Sequence, residues 1–263
     1  MGSGEVAIVA LSTMISLKVT FSDGLGGGKQ NYILKNCIES FNKVGVDEII
    51  KWDEHNMPTP TENIEVLLRK NAWAFVSDWI RLKVLYEYGG LYVDTDVQFC
   101  KPIPQELYEK DLVLSYACDD VVSTAFIMAK PHHPFIKRML EKTEALPKGK
   151  LVVNNHIIMD ALFEVYPNFP LNGRYEEFAP NCCIYPRYFF ETATYRKGAG
   201  FAIHHGFGTW KKNSLIRKIL RPILKFLRYY CKPFGVVYQY IVNKRMIAQS
   251  GKLLEIYKHN INQ

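Results

Sequence analysis

The segment from Ile64 to Asp96 constrains the fold more than any other part of this chain. Apolar residues at helical spacing, among them Leu82, Leu85 and Tyr86, run as far as Tyr88, with a break predicted near Asn71. Gly89-Gly90 then ends the helix, because glycine accepts the left-handed backbone that helix ends commonly need. Leu91-Tyr92-Val93 is a short apolar strand, and Asp94-Thr95-Asp96 follows it directly. A helix that feeds a buried strand is the rhythm of an α/β sheet. In open sheets of that class, ligands collect beyond the carboxyl ends of the strands, where Asp94 and Asp96 stand.

The same rhythm extends on both sides. Asn31 to Val44 has the helical pattern, with Ile33, Cys37, Ile38 and Phe41 on one side, and Glu48 to Trp52 follows as a short strand. Beyond the loop opened by Pro102 and Pro104, strands are expected at Leu112 to Tyr116 and Ala125 to Ala129. Helices are expected at Phe135 to Thr143 and Val153 to Tyr166, and short strands at Cys183 to Tyr188 and Phe201 to His205.

Alternate residues of a strand share a face. If the strand continues past Val93, Asp94 and Asp96 point the same way, with Tyr92 beside them. Two close carboxylates repel each other unless a cation neutralises them, and hard oxygen ligands suit Mn²⁺ or Mg²⁺. An ion held there keeps positions open for the oxygens of a diphosphate. A D-x-D alone is common by chance, so the residues around it carry the weight. Asp78 and Arg81 lie three apart and share a helix face, as an ordinary ion pair would.

Ser77-Asp78-x-x-Arg81, followed by Leu85-Tyr86-x-Tyr88-Gly89-Gly90-x-Tyr92-x-Asp94-x-Asp96, resembles the D-x-D glycosyltransferases of the capsule and lipopolysaccharide type (family 32-like). Weaker similarity runs from about Asn31 to Trp210. The resemblance implies a GT-A fold: a mixed nucleotide-sugar-binding sheet flanked by helices. It implies transfer of a sugar from a nucleotide-sugar donor to a saccharide acceptor with retained configuration, as in capsule or O-antigen synthesis. It further implies that Asp94 and Asp96 bind metal and that Asp78, Arg81, Gly89, Gly90, Tyr92 and Asp94 meet the donor. Ile203-His204-His205-Gly206-Phe207-Gly208-Thr209-Trp210 resembles the family's I-H-x-x-x-x-S-W ending. That makes His204 the expected third metal ligand, with His205 in reserve, and lays Trp210 over the diphosphate. Asp119, Asp120 and Asn155 are acceptor-side candidates that also read as turn or capping residues.

The pattern departs from the family at its start. Relatives open with a strand carrying Trp and His, whereas Ile15 to Gly24 has neither, and the similarity resumes near Gly26. A shifted reading frame upstream of Gly26 is one explanation. Altered base recognition and the loss of a central strand are the expected consequences. Gly24 to Gly28 lacks the G-K-[ST] of a phosphate-binding loop and reads as a turn. The apolar run Val6 to Leu17 is too short to span a membrane and lacks a basic segment before it, so neither a membrane helix nor a signal peptide is expected.

Charge separates the two ends of the chain. The formal net charge is +7, yet Lys211 to Arg245 holds ten Lys and Arg and no acid. Leu215, Ile219, Leu220, Ile223, Leu224 and Leu227 alternate with those cations, a pattern that suits either an anionic membrane surface or a helix packed on the domain. No nucleic-acid motif accompanies the charge. The expected organisation is a catalytic domain over residues 1–210, atypical in 1–25, and a basic helical extension over 211–263. None of the six cysteines forms a C-x-x-C pair. Reduced buried thiols are expected, and with them a cytoplasmic protein lying on the inner face of the membrane. The non-catalytic alternative is an inactive GT-A-like saccharide- or membrane-binding protein. A D-x-D phosphatase, the other enzyme class, fits poorly because Gln98 stands where that motif needs Thr or Val.

Overall fold

A computed structural model describes residues 8–10, 29–44, 50–52, 56–150, 154–191 and 200–205, together with helical positions between 220 and 244. The elements are β1 (Ile8–Ala10), α1 (Lys29–Phe41), β2 (Ile50–Lys51), α2 (Glu62–Arg69), α3 (Trp73–Tyr88), β3 (Gly90–Val93) and β4 (Val97–Phe99). After a 3₁₀ turn come β5 (Leu112–Cys118), β6 (Val121–Ala129), α4 (Pro134–Glu144), α5 (Asn154–Val165), β7 (Glu176–Ala179), β8 (Cys182–Tyr185) and β9 (Ala202–His204).

Seven strands form one mixed sheet in the order β2-β1-β3-β6-β5-β8-β7, and β4 and β9 form a separate two-stranded ribbon. The expectation of a mixed sheet flanked by helices holds. Its pairing is mostly antiparallel, and β5 with β8 is the parallel pair among the described strands. The expected helices and strands are present, several with shifted ends. Glu48–Trp52 shrinks to a two-residue β2, and the helix break falls where Asn71 takes a positive φ of 53° between α2 and α3.

The central strands are buried almost without a break, and successive side chains enter two different cores, so the sheet is covered on both faces. Tyr92, Leu114, Ile127 and Ile184 face the larger core with α2 to α5. Leu91, Val93, Val113, Phe126, Met128 and Cys183 face the smaller core with Phe41 of α1 and Phe99 of β4. Helix α3 is packed against α2, α4 and the sheet. It is accordingly apolar around much of its circumference, with Val76, Trp79, Ile80, Leu82, Val84 and Leu85 all buried. The Trp79 indole N–H donates to Glu144 at 2.9 Å, which ties α3 to the end of α4.

The N-terminal segment does not leave the sheet short of a strand. Ile8-Val9-Ala10 lies between β2 and β3, antiparallel to both, with Val9 opposite Tyr92. An apolar tripeptide thus supplies a strand from this segment, second from one edge of the sheet. Ile15 to Gly24, where the family pattern breaks down, lies outside the described residues.

Candidate active site

The strand reading of Asp94 and Asp96 needs correction. β3 ends at Val93, and residues 94 to 97 form a tight turn closed by the Val97 N–H donating to the Asp94 carbonyl at 2.9 Å. The turn carries the chain out of the large sheet and into the β4–β9 ribbon. Asp94 stays tied to the large sheet, since its N–H donates to the Ala125 carbonyl at 3.0 Å. Asp96 is fixed from the ribbon, where its carbonyl accepts from His205 N–H at 2.9 Å. The carboxylates converge because of this turn and not because of strand alternation.

His204 arrives from the far end of the described chain. It stands opposite Val97 at the start of β4, at the last position of β9. Its Nε2 lies 3.1 Å from Asp96 Oδ1 and 3.8 Å from Asp94 Oδ2. One ligand atom from each of the three residues falls within 4.8 Å of the others. A small hard cation bonded at about 2.1 Å sets its ligand atoms roughly 3.0 to 4.2 Å apart in an octahedron. The donor set and its spacing therefore fit Mg²⁺ or Mn²⁺. His205 turns elsewhere, its Nε2 3.0 Å from Gln98 Oε1, so His204 is the histidine at the carboxylates.

Behind the carboxylates runs a buried polar chain. Arg81, 5% exposed, reaches from α3 to Asp78 at 2.6 Å, to Asp94 at 3.5 Å and to the Thr124 carbonyl at 2.7 Å. The Tyr92 hydroxyl donates to Asp94 at 2.5 Å, and the Arg81 guanidinium lies 4.4 Å over the Tyr92 ring. Tyr92 is buried in the core, so it reaches the site through Asp94. Burial lifts the Asp78 carboxyl to about 6, Arg81 pulling it down and Asp94 pushing it up. For His204, burial disfavours the charged ring, but the carboxylates of Glu191 and Asp96 outweigh it and hold the pKa well above the usual value. Asp78, Asp94, Asp96 and Glu191 gather four carboxylates around His204 and the Arg81 guanidinium. Carboxylates this close favour a bound cation.

Beside Asp78 a small cleft opens between α2, α3, α4 and α5, its polar lining made by Asn63, Asp78, Thr143, Lys150 and Asn154. Asn154, 5% exposed, donates to Asp78 at 3.1 Å, while its Oδ1 is buried without a hydrogen-bond partner. Asn154 and its neighbour Asn155 together read from the sequence as an acceptor-side pair, of which Asn155 is the candidate named above. It falls in the first turn of α5, and its side chain lies outside the described residues.

The two expected glycines stand apart from the carboxylates. Gly89 and Gly90 are at the start of β3, the opposite end from the carboxylates. Gly89 is buried against Pro131 with a φ of 66°. Asp119 and Asp120 form the β5–β6 hairpin turn, where Asp120 accepts from the Cys118 thiol. Trp210 lies outside the described residues. Sequence reasoning missed Glu191, whose Oε1 lies 2.6 Å from His204 Nδ1. No motif marks it, since it follows a run of aromatics thirteen residues before the histidine.

Residues 29–114 match the family described as the glycosyltransferase sugar-binding region containing a DXD motif. Within this stretch lie Asp78, Arg81 and the pair Asp94 and Asp96. That stretch is similar to the DXD sugar-binding region of glycosyltransferases. A human alpha-1,4-N-acetylglucosaminyltransferase is 36% identical over 78 residues, which cover 30% of this chain and 22% of that protein. The chain thus spans about a fifth of the length of that relative. The solved PaToxG glycosyltransferase overlaps 51% of this chain and 52% of its own at a TM-score of 0.35 and 21% identity, too slight a likeness to argue from. His204 and Glu191 lie outside the DXD region as matched, and the fold alone brings them to it.

Proposed function

We propose that the chain is a divalent-metal-dependent glycosyltransferase of GT-A type, moving a hexose from a nucleotide-sugar to a saccharide hydroxyl. The carrying observation is the meeting of Asp94, Asp96 and His204, from two distant parts of the chain, within ligand distance of a common point. Mn²⁺ or Mg²⁺ held by these three would neutralise the charge that builds on the departing diphosphate. The chain's own residues do the rest. Arg81 and Tyr92 fix the rotamer of Asp94. Asp78, partly buried and hydrogen-bonded to Asn154, presents acceptor oxygens to sugar hydroxyls at the mouth of the cleft. Retention of configuration is what the family resemblance implies, as is a role in cell-surface polysaccharide synthesis. The name of the human relative makes N-acetylglucosamine the first donor sugar to try.

Residues 1–210 form the transferase unit in this proposal, and 211–263 form an extension that lies on an anionic membrane near a lipid-linked acceptor. Helical positions of the extension leave Ile223, Phe226, Tyr230, Val237 and Tyr240 more than half exposed beside Arg228, Lys232 and Lys244. No helix among the described residues is long and apolar enough to cross a membrane. Surface attachment would rest on these side chains.

The enzyme reading is checked by melting the protein with a panel of nucleotide-sugars, with and without Mn²⁺. A donor that raises Tm only when Mn²⁺ is present is expected. Asp96→Asn should abolish that rise, while Lys137→Ala on the exposed face of α4 should keep it. An Asp96 variant that responds like the wild type contradicts the assignment.

A further inference from the structure

Glu191 sits behind His204, on the side away from Asp94 and Asp96. Its Oε1 lies 2.6 Å from His204 Nδ1, and its Oε2 accepts from the Ser123 hydroxyl at 2.8 Å. Ser123 is buried on β6, and its Oγ in turn accepts from the Ala125 N–H at 3.0 Å. Both carboxylate oxygens are therefore engaged, one by the large sheet and one by the imidazole. The backbone repeats the link, since the His204 N–H donates to the Glu191 carbonyl. The side chain cannot swing away without breaking a bond at each end.

An ionised carboxylate only accepts hydrogen bonds. A ligating imidazole is neutral, the second proton having been released to solvent as the cation binds. When bonded to Glu191 through Nδ1 it must keep its remaining proton there, which leaves the Nε2 lone pair as the donor atom. Nε2 is the atom that faces Asp94 and Asp96. A ring of the other tautomer would present an N–H to the same point and repel a cation. Carboxylates behind ligating histidines fix ring orientation and raise ligand basicity in this way, and their loss typically weakens metal binding about 10- to 100-fold.

We propose that Glu191 is a positioning residue that locks His204 in the Nδ1–H tautomer and so completes a divalent-cation site with Asp94 and Asp96. This inference rests on the metal reading of that site. Ser123 is the anchor that keeps Glu191 in place, and the pair couples β6 of the large sheet to β9 of the ribbon.

Mn²⁺ binding to the full chain, followed by calorimetric titration without any nucleotide, reads the role directly. Glu191→Ala is expected to weaken Mn²⁺ binding about 10- to 100-fold, and Glu191→Gln, which keeps an acceptor oxygen, by less. In a His204→Ala background, Glu191→Ala should cost nothing further, because it acts only through the ring. Unchanged Mn²⁺ affinity in Glu191→Ala overturns the proposal, as does an equal loss in the His204→Ala background. So does a variant that only melts earlier. A second readout needs no metal: the His204 Nδ1 proton should give a downfield, slowly exchanging NMR resonance that disappears in Glu191→Ala. If wild type shows that resonance but binds no Mn²⁺, the metal reading falls while the pair stands. If the resonance persists in Glu191→Ala, the positioning role falls.

Discussion

Arg81 shows how much of the site hangs on single buried side chains. Its guanidinium bonds Asp78, Asp94 and the Thr124 carbonyl at once, which a lysine ammonium at the same depth would not match in geometry. The i,i+3 spacing of Asp78 and Arg81 was legible in the sequence, and the structure adds that their pair extends to Asp94. Glu191 was not legible, because its contact with His204 depends on a turn and a ribbon that no local pattern announces. Away from the site, burial holds the His133 imidazole down at about 4, with Asp111 opposing weakly. The sign follows from the neutral ring being favoured in the fold. Its stability is complete above about 6.5 and is lost as pH falls through 6.5 toward 4. His133 also caps α4, its ring accepting from the Phe135 N–H, and asparagine can serve as that cap. Between pH 7 and pH 4, wild type should lose up to about 3 kcal/mol relative to His133→Asn. Urea midpoints at the two pH values measure it, and parallel acid dependence of the two proteins would contradict it.

At the scale of elements, the helix-glycine-strand unit was the most readable part of the chain. α3 stops at Gly89, where a φ of 66° leaves the helical backbone, and only glycine fits there: an added Cβ would lie 2.6 Å from Pro131 and 2.9 Å from the Ala129 carbonyl. Gly149 has a similar φ of 71°, but a Cβ there meets mainly the flexible end of Lys70. Gly89→Ala should therefore destabilise by about 1–3 kcal/mol and cost more than Gly149→Ala in the same denaturation experiment. Equal costs would mean that backbone conformation alone decides. Three strands escaped the sequence reading for physical reasons. β1 and β4 are three residues long, too short for a period to show, and β7 (Glu-Glu-Phe-Ala) is a polar edge strand. The D-x-D was found but its geometry was misread, since nothing in Val93-Asp94-Thr95 says that the strand ends there.

For the whole molecule, the distribution of charge matters more than its sum. The excess of +7 gathers in the C-terminal extension, whereas the site itself is acidic. Such an arrangement suits a molecule that meets an anionic surface at one end and a cation-bound anionic donor at the other. Co-sedimentation with vesicles of anionic phospholipid is expected for the full chain and should weaken steeply with added salt. A chain ending at Trp210 should stay in the supernatant. Equal sedimentation of both would remove the membrane from the proposal and leave the transferase site untouched. That site stands on one claim, that Asp94, Asp96 and His204 hold a divalent cation. A crystal grown with Mn²⁺ and a nucleotide-sugar tests it most directly through the anomalous signal of manganese. The expected result is one peak bonded to both carboxylates and to His204 Nε2, with the diphosphate on its open side. A peak elsewhere, or none with donor bound, would contradict it.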